Sequence, residues 1–316
     1  MNKFLFLLLL TGLSACATKE LPIPKRAEST NQVSLGIDYN DQVYYSLAEG
    51  KEVSRNERTS WDLAFESSAD GYHIYLNSAK FMYVWNTGQT NMEEVTDTIG
   101  FGAGKKMEPS GGLPDSAAIG DWRNLNNVYL IDRGVTAAGS FGFVKVQFLQ
   151  VTEEHYTLVF QDLSGGEIHQ LTVNKDELAN STFVSLNEAG YPITVEPPKD
   201  KWDICFTQYS VEIPIPYMVT GVLTNRYQTS ACLVPEGTTF EEIDLAFAQQ
   251  LEFNGRMDNI GYDWKVFDLE ANTYVVDVNK IYVVKTSEGF YYKIHFVDFY
   301  NELGEKGNPK WQAQRL

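Results

Sequence analysis

The segment WDLAF, residues 61–65, recurs as WDICF at residues 202–206, 141 positions further along the chain. In an extended strand, the Trp, the Leu or Ile, and the Phe of this segment point to one face of a sheet and provide an apolar surface for a core. The Asp points to the other face, where its carboxylate can accept a hydrogen bond from a neighbouring backbone amide. The recurrence therefore indicates two sheet-forming modules of related sequence in one chain.

Other short phrases recur in the same order. Leu76-Asn77 corresponds to Thr224-Asn225, 148 positions later, and GFVKVQF at residues 142–148 resembles GFYYKIHF at residues 289–296. One such match could arise by chance, but several matches in a constant order indicate an internal duplication.

Short runs rich in β-branched and aromatic residues, separated by turn clusters of Gly, Asn, Asp and Ser, occupy most of the chain. Only residues 240–252 have the apolar spacing of a helix, with Thr239 and Glu242 arranged as a capping box. The segment that begins at Thr90 is a weaker helical candidate. The sequence therefore predicts an all-β fold, with two tandem antiparallel modules and at most a short helix in each.

The first sixteen residues are typical of an exported lipoprotein. Lys3 precedes an apolar run at residues 4–10, and LSAC at residues 13–16 resembles the bacterial lipobox. The apolar run is too short to span a bilayer as a helix. We therefore predict a signal peptide at residues 1–16 and lipidation of the Cys16 thiol. The alternative is an ordinary signal peptide with an incidental cysteine.

Several acyl chains on Cys16 would anchor the protein stably, because each buried methylene contributes about 0.8 kcal/mol. Ala17 follows this cysteine, where an aspartate would favour the inner membrane. We therefore predict an outer-membrane lipoprotein, periplasmic or surface-exposed. Residues 17–32, with two prolines and several charges, are predicted to form a tether. The two modules then occupy residues 33–165 and 166–316.

Composition and motifs narrow the classes of function. A formal charge of −17 opposes contact with phosphate backbones, so nucleic acid is not expected as a partner. The segment GAGKK at residues 102–106 lacks the spacing of a phosphate-binding loop, and the sequence contains no nucleophile elbow or zinc-protease motif. The four histidines are far apart, so no metal site is predicted. We predict no catalytic residues and a binding protein rather than an enzyme.

Two cysteines remain after Cys16. In an oxidising envelope, Cys205 and Cys232 could form a disulfide if their backbones lie close together. Two buried free thiols are an equally good interpretation, because the sequence does not give the distance between them.

Three segments resemble one family. WDLAF at 61–65, HIYLNS at 73–78 and WNTGQTNMEEVT at 85–96 resemble the HmuY-like haem-binding lipoproteins of Gram-negative anaerobes. The resemblance covers most of the chain in two passes, and it implies two tandem copies of the family's core motifs. It also implies an all-β fold and a role in iron acquisition, with haem passed to an outer-membrane haem transporter.

The resemblance also implies where haem would be held. Family members bind haem between two axial side chains, usually histidines, in loops that correspond here to residues 99–127 and 250–275. Neither stretch contains a histidine, but they contain Met107 and Met257. Related proteins use methionine pairs, so these two residues are the candidate haem ligands.

A second function remains open on the sequence alone. The same all-β architecture would suit a surface module, adhesin-like or structural, that binds glycan or protein and no haem. The two alternatives differ in their expected ligand site, since haem requires an apolar pocket and a surface module requires an exposed apolar patch.

Overall fold

A computed structural model describes residues 27–212 and 214–316. The strands before residue 200 in this part of the chain are β1 (Ser29–Gln32), β2 (Asp41–Ser46), β3 (Lys51–Glu57), β4 (Leu63–Glu66), β5 (Ile74–Leu76), β6 (Tyr83–Asn86), β7 (Lys106–Met107), β8 (Val128–Asp132), β9 (Val135–Thr136), β10 (Gly139–Ser140), β11 (Phe143–Val151), β12 (His155–Asp162), β13 (His169–Asn174), β14 (Ser181–Ser185) and β15 (Tyr191–Ile193).

The strands after residue 200 are β16 (Ile204–Val211), β17 (Tyr217–Thr224), β18 (Ser230–Leu233), β19 (Lys265–Asp268), β20 (Thr273–Val276), β21 (Ile281–Lys285), β22 (Tyr291–Tyr300) and β23 (Lys306–Arg315). The α-helices are α1 (Phe101–Gly104) and α2 (Leu245–Ala248), and 3₁₀ turns span Ser78–Lys80, Met92–Glu94, Pro114–Ser116 and Met257–Asn259. The predicted all-β fold with only short helices is confirmed.

The strands form four main sheets. Strands between β4 and β15 build the sheets β13-β12-β11-β8-β6-β7 and β15-β14-β4-β5. Strands β1 to β3 join later strands in the sheets β1-β23-β22-β21-β18 and β17-β16-β2-β3. Two further hairpins are β9-β10 and β19-β20. Strand pairs within these sheets are antiparallel, for example β11 with β12 and β22 with β23, as the sequence predicts.

The sheets exchange strands across the predicted boundary at residues 165 and 166. Strand β2 precedes the first WD segment but pairs with β16 of the second half and carries β3 on its other edge. Strand β14 lies beyond residue 165 and pairs with β4. Strand β1 lies inside the predicted tether, yet it pairs with β23. The division into two domains and the duplication behind it stay predictions, but strand pairing does not follow that division.

The two halves nevertheless share a hydrogen-bond pattern around the WD segments. Asn77 Nδ2 donates to the carbonyls of Arg58 and Trp61, both at 2.8 Å. Asn225 Nδ2 donates to the carbonyls of Lys199 at 2.8 Å and Trp202 at 2.7 Å. Both asparagines are fully buried. Each asparagine therefore ties the residues that lead into a WD segment to the end of a neighbouring strand. That strand is β5 for Asn77 and β17 for Asn225.

The apolar residues form a core in each half and a third cluster at their junction. Leu63 and Phe65 lie in the core of the first half, as predicted from the strand pattern. Trp61 does not share that face, because it precedes β4 and packs in the junction cluster with Trp202. The prediction that all three residues line one core is therefore wrong for Trp61.

The predicted helix over residues 240–252 is reduced to the single turn α2. The capping contact is present, since the backbone amide and hydroxyl of Thr239 both donate to Glu242 Oε2 at 2.8 Å. The carbonyls of Phe240 and Ile243 instead accept hydrogen bonds from the buried Lys293 ammonium. A helix needs these carbonyls as acceptors for amides four residues on. The Phe247 amide, which would donate to the Ile243 carbonyl in such a helix, donates to the Asp244 side chain at the start of α2 instead.

Candidate functional site

Two loops that carry the candidate methionines meet at the junction of the halves. The backbone amide of Met257 donates to the Gly111 carbonyl at 2.9 Å. Ser110 Oγ donates to Asp258 Oδ2 at 2.6 Å. The structure therefore brings together the stretches 99–127 and 250–275, which are far apart in sequence.

Glycine at position 112 permits this close approach. A Cβ atom at Gly112 would lie 2.4 Å from the Met257 sulfur, well inside van der Waals contact. The residue also has φ +63°, a left-handed conformation that favours glycine. The backbone conformation at this position favours glycine, and any side chain there would displace the Met257 side chain.

An open cleft of about 580 Å³ lies beside the loop contact. This volume is within the range of about 300–1,000 Å³ that is usual for small-molecule sites. Its apolar and aromatic lining comes from Met107, Leu233, Tyr209, Tyr262 and Tyr282. The charged residues of its lining are Glu108, Glu212, Arg256, Asp258 and Asp263. The cleft can therefore take a ligand with a broad apolar face, and its lining has a net negative formal charge.

The tyrosines of the cleft differ in how their hydroxyls are satisfied. The hydroxyls of Tyr262 and Tyr217 share a hydrogen bond of 2.5 Å. The Tyr209 hydroxyl and the nearby Ser210 Oγ are buried and have no hydrogen-bond partner among the described residues. Burial, with a smaller contribution from Asp258, raises the pKa of Tyr209 well above its ordinary value, so its phenol stays protonated. Tyr209 is therefore an available donor at the cleft.

The two candidate methionines line different spaces. Met107 borders the cleft but is only 6% exposed, because it packs with Tyr83, Phe101 and Leu130. Met257 lines a separate, smaller cavity of about 110 Å³. The loops are therefore brought together, but the two thioethers do not line one shared space. Their role as a pair of haem ligands stays a prediction.

The smaller cavity lies between the halves, and its mostly apolar lining includes a few polar and charged side chains. We call it the junction cavity; it is bordered by Trp61, Trp202, Glu108, Glu196 and Arg226, among others. Arg226 stacks over the Tyr75 ring, with 3.6 Å from the guanidinium carbon to the ring centroid. Sequence reasoning missed this cavity, because the recurring tryptophans were interpreted as core residues and Arg226 was not considered as a site residue.

The remaining predicted site residues are the three cysteines. Cys205 and Cys232 are free thiols in different sheets, since β16 carries Cys205 and β18 carries Cys232. Burial raises the pKa of the Cys205 thiol. Cys16 lies outside the described residues. Within residues 27–212 and 214–316, no cluster of three or more His, Cys, Asp or Glu side chains could hold a metal ion.

The described part of the chain also contains no helix that is long and apolar enough to cross a membrane. An all-β fold with a ligand-sized cleft between two loops is an arrangement that suits ligand binding. The particular family follows from the sequence comparison: the HmuY protein family model matches residues 38–312, and the chain belongs to that family.

Several solved structures are similar to the chain. Apo PinO from Porphyromonas gingivitis is 12% identical with a TM-score of 0.33, and the match covers 92% of this chain and 99% of that one. The apo HmuY analog of Tannerella forsythia, TFO, is 13% identical with a TM-score of 0.27, covering 92% and 95%. A Bacteroides vulgatus protein, provisionally assigned as HmuY-like and haem-binding, is 17% identical with a TM-score of 0.24, covering 54% and 90%.

No curated protein matches the chain. The similarities to solved structures are low in both identity and TM-score, so none of them carries an argument about function here. Membership of the HmuY family rests on the family model, which spans most of the chain.

Proposed function

We propose that the chain is a cell-envelope lipoprotein that binds haem, or a similar flat hydrophobic molecule, for uptake. The observation that carries this proposal is the cleft of about 580 Å³, which is walled by three tyrosines and Met107 at the meeting point of the two loops. Membership of the HmuY family supports the same kind of ligand. The cleft is large enough for a broad planar molecule, whereas the junction cavity is not.

The charge of the cleft restricts how such a ligand would sit. Four carboxyl side chains and one arginine contribute to its lining, and Arg256 is already paired with Asp258 at 2.7 Å. Carboxylates of a ligand would be repelled by such a lining. We therefore expect the apolar face of the macrocycle to enter the cleft while its propionates stay in solvent.

The proposal includes an anchor and a partner. Lipidation at Cys16 would hold the protein on the outer membrane, in the periplasm or at the surface, and an outer-membrane haem transporter would receive the ligand. The described chain begins near one end of β23, where Ser29 pairs with Ala313. The anchor would therefore connect to the sheet at this end.

A haemin titration tests the proposed ligand. We would titrate the chain from residue 17 onward and record absorbance spectra of the ferric and ferrous forms. Saturable binding with a shifted Soret band is the expected result. A spectrum identical to that of free haemin with nonspecific protein would contradict haem binding.

Alanine variants of the candidate methionines test which side chains bind the haem iron. Met107→Ala should weaken or alter the Soret band if its thioether contacts the iron, and Met257→Ala tests the second candidate. Met218→Ala is the matched control, since Met218 borders neither the cleft nor the junction cavity. An unchanged Soret band in both Met107→Ala and Met257→Ala would show that these methionines are not the iron ligands. The proposal that the protein binds haem would still stand.

A second candidate function has one observation in its favour. The hairpin β19-β20 exposes Val266 by 66%, Phe267 by 44% and Leu269 by 86%. Apolar side chains grouped on one exposed hairpin are typical of an interaction surface. If haemin does not bind, a surface module that recognises glycan or protein through this hairpin becomes the better proposal. A Phe267→Ser, Leu269→Ser double variant would then be compared with the parent in glycan-array and pull-down experiments.

A further inference from the structure

The junction cavity contains hydrogen-bond donors that the described residues leave unsatisfied. The indole N–H groups of Trp61 and Trp202 and the Nη1 atom of Arg226 are buried and have no hydrogen-bond partner. The two tryptophans are 8% and 4% exposed, and all three residues border the same cavity. Leaving a buried donor unpaired costs free energy, so such groups in folded proteins are usually satisfied by water or a ligand.

The two tryptophans are the recurring residues of the WD segments, and they are held in matching ways. Trp61 packs edge-on against Phe183 and Trp202 packs edge-on against Tyr44, each with ring centroids 4.8 Å apart. Their backbone carbonyls accept hydrogen bonds from Asn77 and Asn225, respectively. The two indoles are therefore fixed by the surrounding structure and are not free to turn towards other acceptors.

The carboxyl groups of the cavity are already engaged as acceptors. Glu108 Oε2 accepts from the backbone amide of Leu76 at 3.0 Å. Glu196 Oε1 accepts from the backbone amides of Asn180 and Ser181. A guest that only accepts hydrogen bonds therefore suits the three unpaired donors better than one that must also donate.

The charge of the cavity lining also favours an anionic guest at low pH. Burial raises the pKa of the Glu108 and Glu196 carboxyls to about 7, and the nearby Arg226 opposes the rise. Below pH 7 both carboxyls are mostly neutral, and Arg226 is then the charged side chain of the cavity lining. The other titratable groups of the lining, all with pKa values raised by burial and therefore neutral, are Tyr44, Tyr75 and Cys205. On the outer side of Arg226 lie Glu66 and Lys199, of opposite charge.

We propose that the junction cavity binds a small monovalent anion of halide size through Trp61, Trp202 and Arg226, and that this binding strengthens as the pH falls. The volume of about 110 Å³ accommodates such an ion with a few waters. Because the cavity is separate from the cleft, anion binding does not depend on the proposed haem function. The two spaces are adjacent, since Glu108, Pro109 and Ser110 border both of them.

Bromide is a suitable probe, because its position can be identified by anomalous diffraction. We would collect data from crystals soaked in sodium bromide at pH 5.5 and pH 8.5. An anomalous peak within hydrogen-bond distance of both indole nitrogens at pH 5.5, and a weaker peak or none at pH 8.5, is the expected result. Two results would overturn the proposal. The first is water alone in the cavity, and the second is bromide bound at surface positions and not in the cavity, which would be an adventitious ion only.

Solution titrations with sodium bromide at constant ionic strength test the named residues. Trp61→Phe and Trp202→Phe keep the aromatic packing and remove one donor each, so each should weaken binding about tenfold at pH 5.5. Trp85→Phe is the matched control, since Trp85 does not border the cavity. Equal affinity in the parent and both variants would overturn the assignment even if bromide binds elsewhere.

A double variant of the two buried carboxyl groups tests the pH dependence of bromide binding. The Glu108→Gln, Glu196→Gln double variant removes both carboxylates but keeps amide oxygens as acceptors for the backbone. It should bind bromide at pH 8.5 about as well as at pH 5.5. A double variant that loses affinity at pH 8.5 as strongly as the parent would show that these carboxyls do not control the site. Thermal unfolding of each variant confirms that it is folded.

Discussion

Asp62 and Asp203 occupy equivalent positions: each accepts a hydrogen bond of 2.7 Å from the backbone amide of a leucine on a neighbouring hairpin. The leucines are Leu186 for Asp62 and Leu47 for Asp203. The surroundings differ, because Asp62 also pairs with the buried Lys80 and with Arg133. No salt bridge joins Asp203 to a cation among the described residues, and burial raises its pKa to about 6. Burial also opposes ionisation of Asp62, but Lys80 and Arg133 hold its pKa below the ordinary value.

Removing the charge should therefore affect the two positions very differently. Asp62→Asn leaves Lys80 and Arg133 buried without their anion, which should lower the free energy of unfolding by about 3–5 kcal/mol. Asp203→Asn keeps an acceptor for Leu47 and removes a carboxylate whose ionisation burial opposes, so it should not lower the free energy of unfolding at pH 7. Urea unfolding followed by tryptophan fluorescence measures both, and equal losses would contradict the distinct environments.

Stability should decrease between pH 4.5 and pH 7 because of buried carboxyls. The pKa of Glu108 is about 7 in the folded protein, compared with an ordinary value of 4.5. Between these values the folded protein holds a proton that the unfolded chain has released, so the free energy of unfolding falls as the pH rises. The loss from Glu108 should reach about 3 kcal/mol above pH 7. Glu108→Gln should remove that part of the slope, whereas Glu241→Gln, at an exposed position, should not. A parallel pH profile for Glu108→Gln and the parent would disprove this.

Alanine at position 112 should separate the two loops. Gly112→Ala combines a positive φ with a Cβ only 2.4 Å from the Met257 sulfur. Gly120→Ala is a matched control, because Gly120 has φ +70° but an added Cβ would meet nothing within 4 Å. The difference between the two variants should be about 1–3 kcal/mol, the usual cost of overpacking. Equal destabilisation would mean that only the backbone conformation matters. Haemin affinity measured on both variants then shows whether the cleft depends on the loop contact.

The two cysteines should remain free thiols under oxidising conditions. Cys205 is 3% exposed and lies in a different sheet from Cys232, which is partly exposed. With the chain from residue 17 onward, a thiol reagent should modify one cysteine in the folded protein and two in denaturant. A thiol count of zero in denaturant after oxidative purification would instead demonstrate the disulfide.

Local sequence patterns predicted the strands and the all-β class well, because alternation and turn residues act over a few neighbouring positions. They failed where a distant residue decides the outcome. The carbonyls of Phe240 and Ile243, within the segment predicted as a helix, bond the distant Lys293. Trp61 packs at the junction because its strand begins only at Leu63. The junction cavity was also missed, since its lining comes from both halves and no local pattern joins Glu108, Glu196 and Arg226.

The candidate haem ligands also show what short sequence motifs cannot predict. A resemblance between short motifs was enough to place Met107 and Met257 on the corresponding loops, and those loops do contact one another. Side-chain direction depends on packing around each residue, which the motifs do not encode. Met107 packs beside Tyr83, and Met257 packs beside Gly112. The motifs therefore indicated which loops to compare, but not the directions in which their side chains point.

The pairing of β1 with β23 has a consequence for the order of events during biosynthesis. Ser29 contacts Ala313 across 284 residues, so the first strand of the described chain leaves the ribosome long before its partner exists. At a synthesis rate of about 5–20 residues per second, this interval is roughly 15–60 s. The sheet that contains β1 can be completed only after the last residues have been made. On the proposed export route the chain would cross the membrane N-terminus first, and this sheet would then close only after translocation.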